Sequence, residues 1–200
     1  QGVLHAKISP EKKEELKAYI KEYAVSFVFE CVDMEHDPHI IEYPESGLFL
    51  LDIVSNQIAF AKYAYDDMCH IAGRFGFSHK EKAAELADWQ EFYDWYYEVM
   101  EEDYEYNGRI VEGFVVEDAA GYMTKLKLSY YNFWKFMRSV SHEAIRKGYI
   151  RKTSALTTPE AIQYYDWVKK LHDLPDKERV PKDICTLRRM FYRETKNETY

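Results

Sequence analysis

The most informative part of the sequence is Val111-Glu-Gly-Phe-Val-Val-Glu117, followed by Asp118-Ala-Ala-Gly121 and Tyr122-Met-Thr-Lys-Leu-Lys-Leu128. The first run is rich in residues that favour β-strands. The segment between the two runs holds turn residues, and its Gly121 is free to take a positive φ. The sequence therefore predicts a β-hairpin over residues 111–128.

The predicted hairpin carries charges of both signs on neighbouring strands. Lys125 and Lys127 are two residues apart, and both ammonium groups point to one face because side chains alternate along a strand. Such like charges are unfavourable without an anion between them. Glu112 and Gly113 stand on the preceding strand, where glycine lets a ligand approach the backbone. The set suits a nucleotide phosphate and its metal ion, and a solvated Lys-x-Lys on an edge strand is the alternative.

Short strands and helices are predicted upstream of the hairpin. The strands lie at Val25–Val32, at about 39–43 and 48–55, and over Ala59–Tyr63. The helices run from Ser9-Pro10 to about Tyr23, over Asp66–Phe75, and over His79–Glu102. In the last helix, an apolar stripe recurs at helical spacing and predicts packing against a sheet; it consists of Leu86, Trp89, Tyr93, Tyr96 and Met100.

Downstream of the hairpin, the pattern is helical only. Ser129 is the predicted N-cap of one helix, Thr158-Pro159 begins a second, and residues 184–191 belong to a third. The predicted fold class is therefore α+β, with an antiparallel sheet followed by an all-helical C-terminal domain. The boundary is predicted near residues 128–132.

The order of the motifs resembles that of the covalent nucleotidyltransferases, the superfamily of the ATP-dependent ligases and the mRNA capping enzymes. Ser129-Tyr-Tyr131, just after the second lysine, is closest to the T4-type RNA ligases of the tRNA-repair kind. The stretches that resemble family motifs III, IIIa, IV and V are, in that order, Phe27–Val32, the strands His39–Tyr43 and Leu48–Val54, Glu112–Val116, and Lys125–Lys127.

The resemblance implies a fold and a reaction. Residues 1–128 would be part of an ATP-grasp-like nucleotidyltransferase domain, and residues 129–200 a helical C-terminal domain. The complete enzyme would form lysyl-AMP from ATP, transfer AMP to the 5′-phosphate of an RNA, and join a 3′-OH to that end. The family's nucleophile is the lysine of a Lys-x-Asp-Gly motif, which these 200 residues lack. The chain is therefore expected to be the C-terminal part of a ligase and inactive by itself.

The resemblance also gives roles to the hairpin residues. Lys125 and Lys127 would contact the α-phosphate of ATP or of the bound AMP, where fixed cations stabilise developing charge. Glu112 would bind Mg²⁺ directly or through water. Gly113 would lie beside the nucleotide, and Tyr131 would either reach the phosphate region or belong to the core.

Further residues of the nucleotide site are expected on the earlier strands. Glu30 would contact the ribose or help to hold the metal ion. In the family, an aromatic side chain of motif IIIa stacks on adenine. Leu48 and Phe49 are the candidates, and alternation allows only one of them to face the site. Register with the family pattern favours Leu48.

The net charge of −8 hides a strong asymmetry along the chain. Residues 1–122 carry 10 Lys and Arg against 26 Asp and Glu, whereas residues 123–200 carry 17 against 9. The basic part is typical of polyanion binding, which agrees with an RNA partner. No apolar run is long enough for a membrane span, no signal-peptide pattern occurs, and three scattered cysteines indicate reduced thiols. The sequence therefore predicts a cytoplasmic protein.

Several alternatives remain open from the sequence. The chain would otherwise be a non-catalytic RNA-binding or scaffolding module derived from the ligase fold. A DNA ligase or capping enzyme is less favoured. Those enzymes usually carry a strand-rich OB domain after the nucleotidyltransferase domain, whereas no strand pattern follows residue 128 here. A zinc site at Cys31, His36 and His39 lacks a fourth ligand. A thiol nucleophile at Cys69-His70 lacks an orienting Asn or Asp.

Overall fold

The computed structural model describes residues 8–36, 39–44, 46–102, 104–176 and 179–195. The chain forms two compact units, one within residues 1–39 and 43–85 and the other within residues 40–42 and 86–200. In the part of the chain that is described, no helix is both long and apolar enough to cross a membrane. The predicted α+β class is confirmed.

In its described residues, the first unit is a small sheet with two α-helices. Its elements are α1 (Pro10–Tyr23), β1 (Val25–Val32), β2 (Gly47–Ser55), α2 (Tyr65–Phe75) and β3 (Ser78–His79). The sheet has the order β1-β2-β3, in which β1 and β2 are antiparallel and β2 and β3 are parallel. The predicted α1, β1, β2 and α2 are confirmed to within one residue at each end.

Local sequence explains how the first unit begins. The hydroxyl of Ser9 accepts a hydrogen bond from the Lys12 amide at 3.3 Å, and Pro10 occupies the first turn of α1, where its missing N–H costs nothing. One core face joins the helices to the sheet, and its fully buried residues include Leu50, Ile53 and Met68. The alternation along β1 and β2 therefore leaves a second sheet face for polar side chains.

In its described residues, the second unit holds the hairpin and four α-helices. Its elements are α3 (Trp89–Val99), β4 (Gly113–Glu117), β5 (Met123–Lys127), α4 (Ser129–Lys147), α5 (Pro159–Lys170) and α6 (Ile184–Thr195). Strands β4 and β5 pair antiparallel from Gly113↔Lys127 to Glu117↔Met123. The Asp118 carboxylate accepts from the amides of Ala120 and Tyr122, both at 2.9 Å. The predicted hairpin is confirmed.

Aromatic residues form the core of the three C-terminal helices. Trp134 of α4, Tyr164 of α5 and Phe191 of α6 are almost completely buried and meet edge to face, with the ring centroids of Tyr164 and Phe191 5.1 Å apart. The Tyr164 hydroxyl lies 2.7 Å from that of Ser141, and burial raises the pKa of Tyr164. Such packing places α4 firmly on its neighbours.

Two predicted strands are wrong. Residues 39–43 are irregular because Ile40 and Ile41 are both buried, whereas consecutive strand residues face opposite sides. The Ile40 carbonyl accepts from Arg188 Nη1 at 3.0 Å instead of from a neighbouring strand. Residues 59–63 contribute only an isolated bridge between Val54 and Lys62.

The predicted long helix over residues 79–102 is much shorter. Residues 80–86 are irregular because their amides bond elsewhere, that of Lys80 to the Leu50 carbonyl and that of Lys82 to the Tyr65 hydroxyl. Asp88 caps α3 by accepting from the Gln90 and Glu91 amides. The predicted apolar face also differs, since Trp89 is 75% exposed and Tyr93 is 46% exposed.

Ser129 is the first residue of α4 and not its N-cap. The N-cap is Leu128, and no side chain caps this end. The Ser129 hydroxyl donates to the Met100 carbonyl at 3.0 Å, so this hydroxyl is already engaged. The predicted division into domains 1–128 and 129–200 stays a prediction.

Candidate active site

The open end of the hairpin brings three of the predicted site residues together. Glu112 precedes β4 and Lys127 ends β5, and their side chains form an ion pair. Tyr131 lies one turn into α4, with its ring centroid 4.9 Å from the Lys127 ammonium. The side chains of Lys127 and Glu112 are 34% and 27% exposed, and Tyr131 is partly buried. The cluster is therefore partly shielded from solvent but still accessible to a ligand.

Tyr131 reports the electrostatics of this cluster. Burial raises the pKa of its phenol, and the negative charge of Glu112 and a hydrogen bond to that carboxylate raise it further. The nearby guanidinium of Arg138 acts in the opposite direction. The phenol is therefore a neutral donor near pH 7, and the predicted core role and the predicted phosphate role both fit this position.

The backbone of Lys127 is fixed by its neighbours. The Asn132 side-chain amide donates to the Lys127 carbonyl at 3.0 Å, and the amide of Leu128 donates to the Glu112 carbonyl at 3.1 Å. These bonds tie β5 to the first turn of α4 and to the residue before β4. The lysine side chain therefore projects from a rigid base.

Lys125 shares the face of Lys127, as the sequence predicts. It pairs with Val115 across the hairpin, two residues from the Gly113↔Lys127 pair, and side chains at this spacing point the same way. Lys125 is exposed, and among the described residues it has no ion-pair partner. This ammonium group is therefore available to an anion at the hairpin surface.

The structure explains why position 113 is a glycine without any contact to a ligand. Its φ is +151°, a conformation that L side chains rarely adopt. A Cβ at this position would overlap the Leu126 carbonyl oxygen and lie 3.0 Å from the Lys127 Cα. The glycine thus allows the close approach of β5 that holds Lys127 beside Glu112, and its predicted nucleotide contact stays a prediction.

In the first unit, strand pairing separates the candidates of the earlier motifs. Glu30 of β1 lies opposite Phe49 of β2, and Leu48 lies opposite Cys31. Directly paired residues point to the same face, so Glu30 shares its face with Phe49 and not with Leu48. Glu30 is exposed and Phe49 is half-buried.

That same sheet face also carries a charged group that the motifs do not include. Asp52 of β2 lies opposite Val28, beyond a bulge at Val28/Phe29, and it accepts from Lys80 Nζ at 2.9 Å. Lys62 Nζ is 3.8 Å from the same oxygen. The sequence does indicate that Asp52 has a charged partner. Asp52 is the lone carboxylate in the apolar run Leu48–Val54, and an unpaired charge in a partly buried strand is energetically unfavourable.

The described residues differ in how well they fit different metal ions. Within the described ranges, no three His, Cys, Asp or Glu side chains come together to hold a metal ion, which does not favour the zinc alternative. Mg²⁺ is different, because it is commonly held by one or two carboxylates together with waters and substrate phosphates. Glu112 supplies one such hard oxygen ligand and therefore fits a Mg²⁺ ion that arrives with a phosphate.

The thiol alternative also gains no support. Cys69 Sγ lies 3.6 Å from His79 Nδ1 and also hydrogen-bonds with Tyr65, and neither partner is the adjacent His70. The same His79 nitrogen lies 2.8 Å from the Lys80 carbonyl oxygen. A carbonyl only accepts, so this nitrogen carries its proton and cannot take one from the thiol.

The cluster at the hairpin therefore offers two ammonium groups, one carboxylate and one phenol within a few residues of each other. Fixed cations of this kind bind phosphate and stabilise charge that develops on it. Because Lys127 is paired with Glu112, an incoming phosphate would replace the Glu112 carboxylate as the anionic partner of Lys127. The carboxylate released in this way is then free to bind a cation.

Comparison with known proteins relates the chain to RNA ligases. A family model described as RNA ligase, of the T4 type, matches residues 3–131. A tRNA ligase of Candida albicans (strain SC5314 / ATCC MYA-2876) is 30% identical over 109 residues, which is 53% of this chain and 13% of that protein. The chain thus spans a small part of the length of this curated relative.

Proposed function

Because the chain belongs to the T4-type RNA ligase family, we propose that its hairpin supplies the phosphate-binding part of an ATP-dependent RNA ligase. The substrates of the complete protein would be ATP and RNA ends that carry a 5′-phosphate and a 3′-OH. The observation that supports this proposal best is the pairing of Lys127 with Glu112 beside Tyr131, with Lys125 on the same strand face.

In this proposal the two lysines act on the reacting phosphate. Lys125 and Lys127 hold the α-phosphate of ATP, and later the phosphate of the RNA adenylate, by direct charge-assisted hydrogen bonds. In the sealing step, the 3′-oxygen forms a bond to the 5′-phosphorus, the bond from this phosphorus to AMP breaks, and AMP leaves. The hydroxyl proton passes to solvent. The lysines stabilise the negative charge that grows on the phosphate oxygens.

Glu112 and Tyr131 complete the phosphate part of the proposed site. Glu112, once released by Lys127, would hold Mg²⁺, which would supply charge neutralisation at the phosphates. Tyr131 remains protonated and donates a hydrogen bond at the edge of the site. Gly113 keeps the two strands close enough for this arrangement.

The nucleoside would be bound by the first unit. We assign Phe49 to stacking on adenine in place of Leu48, because Phe49 shares a sheet face with Glu30 and aromatic rings stack well on bases. Glu30 would contact the ribose or share in metal binding. Asp52, with its two lysines, lies on the same face.

The proposal places the nucleophilic lysine outside these 200 residues, since they contain no Lys-x-Asp-Gly motif. Intact mass after incubation of this chain with ATP and Mg²⁺ tests that point. No added AMP is expected. A covalent AMP adduct would show that a lysine of this chain is the nucleophile and would contradict the assignment.

Sealing of a pre-adenylylated RNA to a 3′-OH RNA, without ATP, tests the roles of the hairpin residues in the complete protein. This step does not use the nucleophilic lysine. Lys125→Ala, Lys127→Ala and Glu112→Ala are each expected to slow sealing by about 10²–10³-fold, while Lys169→Ala, at an exposed position on α5, keeps the full rate. Full activity in one of the three variants would remove the role given to that residue, and an inactive parent protein would favour the non-catalytic RNA-binding module.

A further inference from the structure

One face of α4 carries a row of basic residues that the proposed chemistry does not use. Lys135, Arg138, His142 and Arg146 follow Tyr131 at intervals of three or four residues, which places all five on one side of the helix. The four basic side chains are exposed. The buried face of α4, which includes Met137, Val140 and Ala144, lies on the other side, so this basic stripe faces solvent.

The stripe has no acidic partners in the part of the chain that is described. The sole acid of α4 is Glu143, which is bound by Lys147 at 2.6 Å and by the Arg151 amide at 3.2 Å. It is therefore already engaged outside the stripe. Lys135 and Arg138 lie one turn apart, and like charges that neighbour each other on a helix surface destabilise it unless an anion lies between them. The cations of Lys135, Arg138 and Arg146, which have no ion-pair partner among the described residues, thus indicate an anionic ligand that runs along the helix.

The stripe continues directly from the candidate active site. The Tyr131 ring has the Lys127 ammonium 4.9 Å from its centroid and the Lys135 ammonium 5.5 Å from it. From Lys135 to Arg146 the helix rises by about 16 Å at 1.5 Å per residue. At about 3.4 Å per nucleotide of a stacked strand, this length matches roughly five phosphates.

We propose that the basic stripe binds the backbone phosphates of the RNA strand whose 5′-phosphate is held by Lys125 and Lys127. The identity of the bound end rests on the proposed function, whereas the binding of a single strand rests on the stripe itself. Regular cations beside one aromatic ring are typical of single-strand binding surfaces. An acidic peptide is disfavoured, because the stripe offers no apolar side chain to anchor one.

Binding of a short, 5′-phosphorylated single-stranded RNA, without ATP, tests the inference in the complete protein. The triple variant Lys135→Gln/Arg138→Gln/Arg146→Gln is compared with Lys169→Gln/Lys170→Gln/Lys182→Gln, which removes the same charge from exposed positions elsewhere in the second unit. For single strands, each lost phosphate contact lowers the slope of log K against log salt by about 0.7. The stripe variant is expected to lose about two from this slope and on the order of 100-fold in affinity at about 0.1 M salt. The control variant keeps the parent slope.

The outcomes separate this inference from the proposed function. Equal affinity and slope in the two triple variants would overturn the proposal that the basic stripe binds RNA, even if Lys127→Ala abolishes sealing. Loss of RNA binding in the stripe variant alone would support the stripe, even if the hairpin variants seal normally and the proposed function fails. Poly-glutamate that displaces the RNA at equal charge concentration would overturn the assignment to RNA in favour of an acidic protein. Helical circular dichroism equal to that of the parent shows that the stripe variant folds.

Discussion

Replacement of Gly113 by alanine should disrupt the hairpin far more than an ordinary glycine replacement in a turn. The new Cβ would overlap the Leu126 carbonyl oxygen and meet the Lys127 Cα at 3.0 Å. Both are backbone atoms of β5, so no side chain can turn away to make room. The strand itself has to move, and with it the pairing that brings Lys127 to Glu112.

The expected loss of stability in Gly113→Ala has two parts. A non-glycine residue at φ +151° adds about 1–3 kcal/mol of backbone strain. Displacement of β5 also weakens roughly two hydrogen bonds, those near the Gly113↔Lys127 pair and from the Leu128 amide to the Glu112 carbonyl. At about 0.5–1.5 kcal/mol each, these bring the expected loss to about 2–6 kcal/mol.

Urea denaturation followed by tryptophan fluorescence measures this loss. Trp95 reports on the hairpin because its ring centroid lies 5.1 Å from that of Phe114 in β4. Gly121→Ala is the matched control, since Gly121 also has a positive φ, +82°, but nothing lies within 4 Å of its added Cβ. The control should lose only about 1–2 kcal/mol. Equal losses in the two variants would refute the close approach of β5 at Gly113.

Three further predictions concern stability. Asp88→Ala should cost about 1 kcal/mol by removing the N-cap of α3, whereas Asp94→Ala on the same helix should cost less in thermal denaturation. Arg188→Met should lower the free energy of unfolding in urea by about 1–3 kcal/mol, because the Ile40 carbonyl loses its charged donor; the exposed Arg189→Met is the comparison. Burial and a hydrogen bond with Tyr63 raise the pKa of Tyr19 from 10.0 to about 12. The contribution of the neutral Tyr19 phenol to the free energy of unfolding is therefore complete below pH 10 and declines as the pH rises toward 12. Tyr19→Phe should flatten that decline in urea titrations at successive pH values.

Local patterns predicted the elements whose signals lie within a few residues. The Ser9-Pro10 and Thr158-Pro159 pairs mark helix starts that the structure confirms, and the Asp118–Gly121 turn fixes the register of the hairpin. These signals suffice because a cap or a tight turn is stabilised by its own neighbours. The placement of Lys125 and Lys127 on one face followed from that register.

Elements that depend on distant partners were not predictable in the same way. The pattern of residues 39–43 is typical of a strand. Their irregular conformation depends on Arg188, far along the sequence, which donates to the Ile40 carbonyl. The start of α3 carried a readable signal, Asp88 with Glu91 three residues later, but the apolar periodicity around it indicated a longer helix. The choice between Leu48 and Phe49 depended on the pairing of β1 with β2, which no local pattern sets.

The direct join between β5 and α4 has a mechanical consequence. A single residue, Leu128, separates the strand that ends at Lys127 from the helix that begins at Ser129. Arg146 lies about 22 Å along the helix axis from Tyr131, so a tilt of about 5° at the first turn would move Arg146 by about 2 Å. Because α4 is packed on α5 and α6 through Trp134, these helices would have to move with it, and a small rotation at the hairpin would be amplified along the helix to its far end.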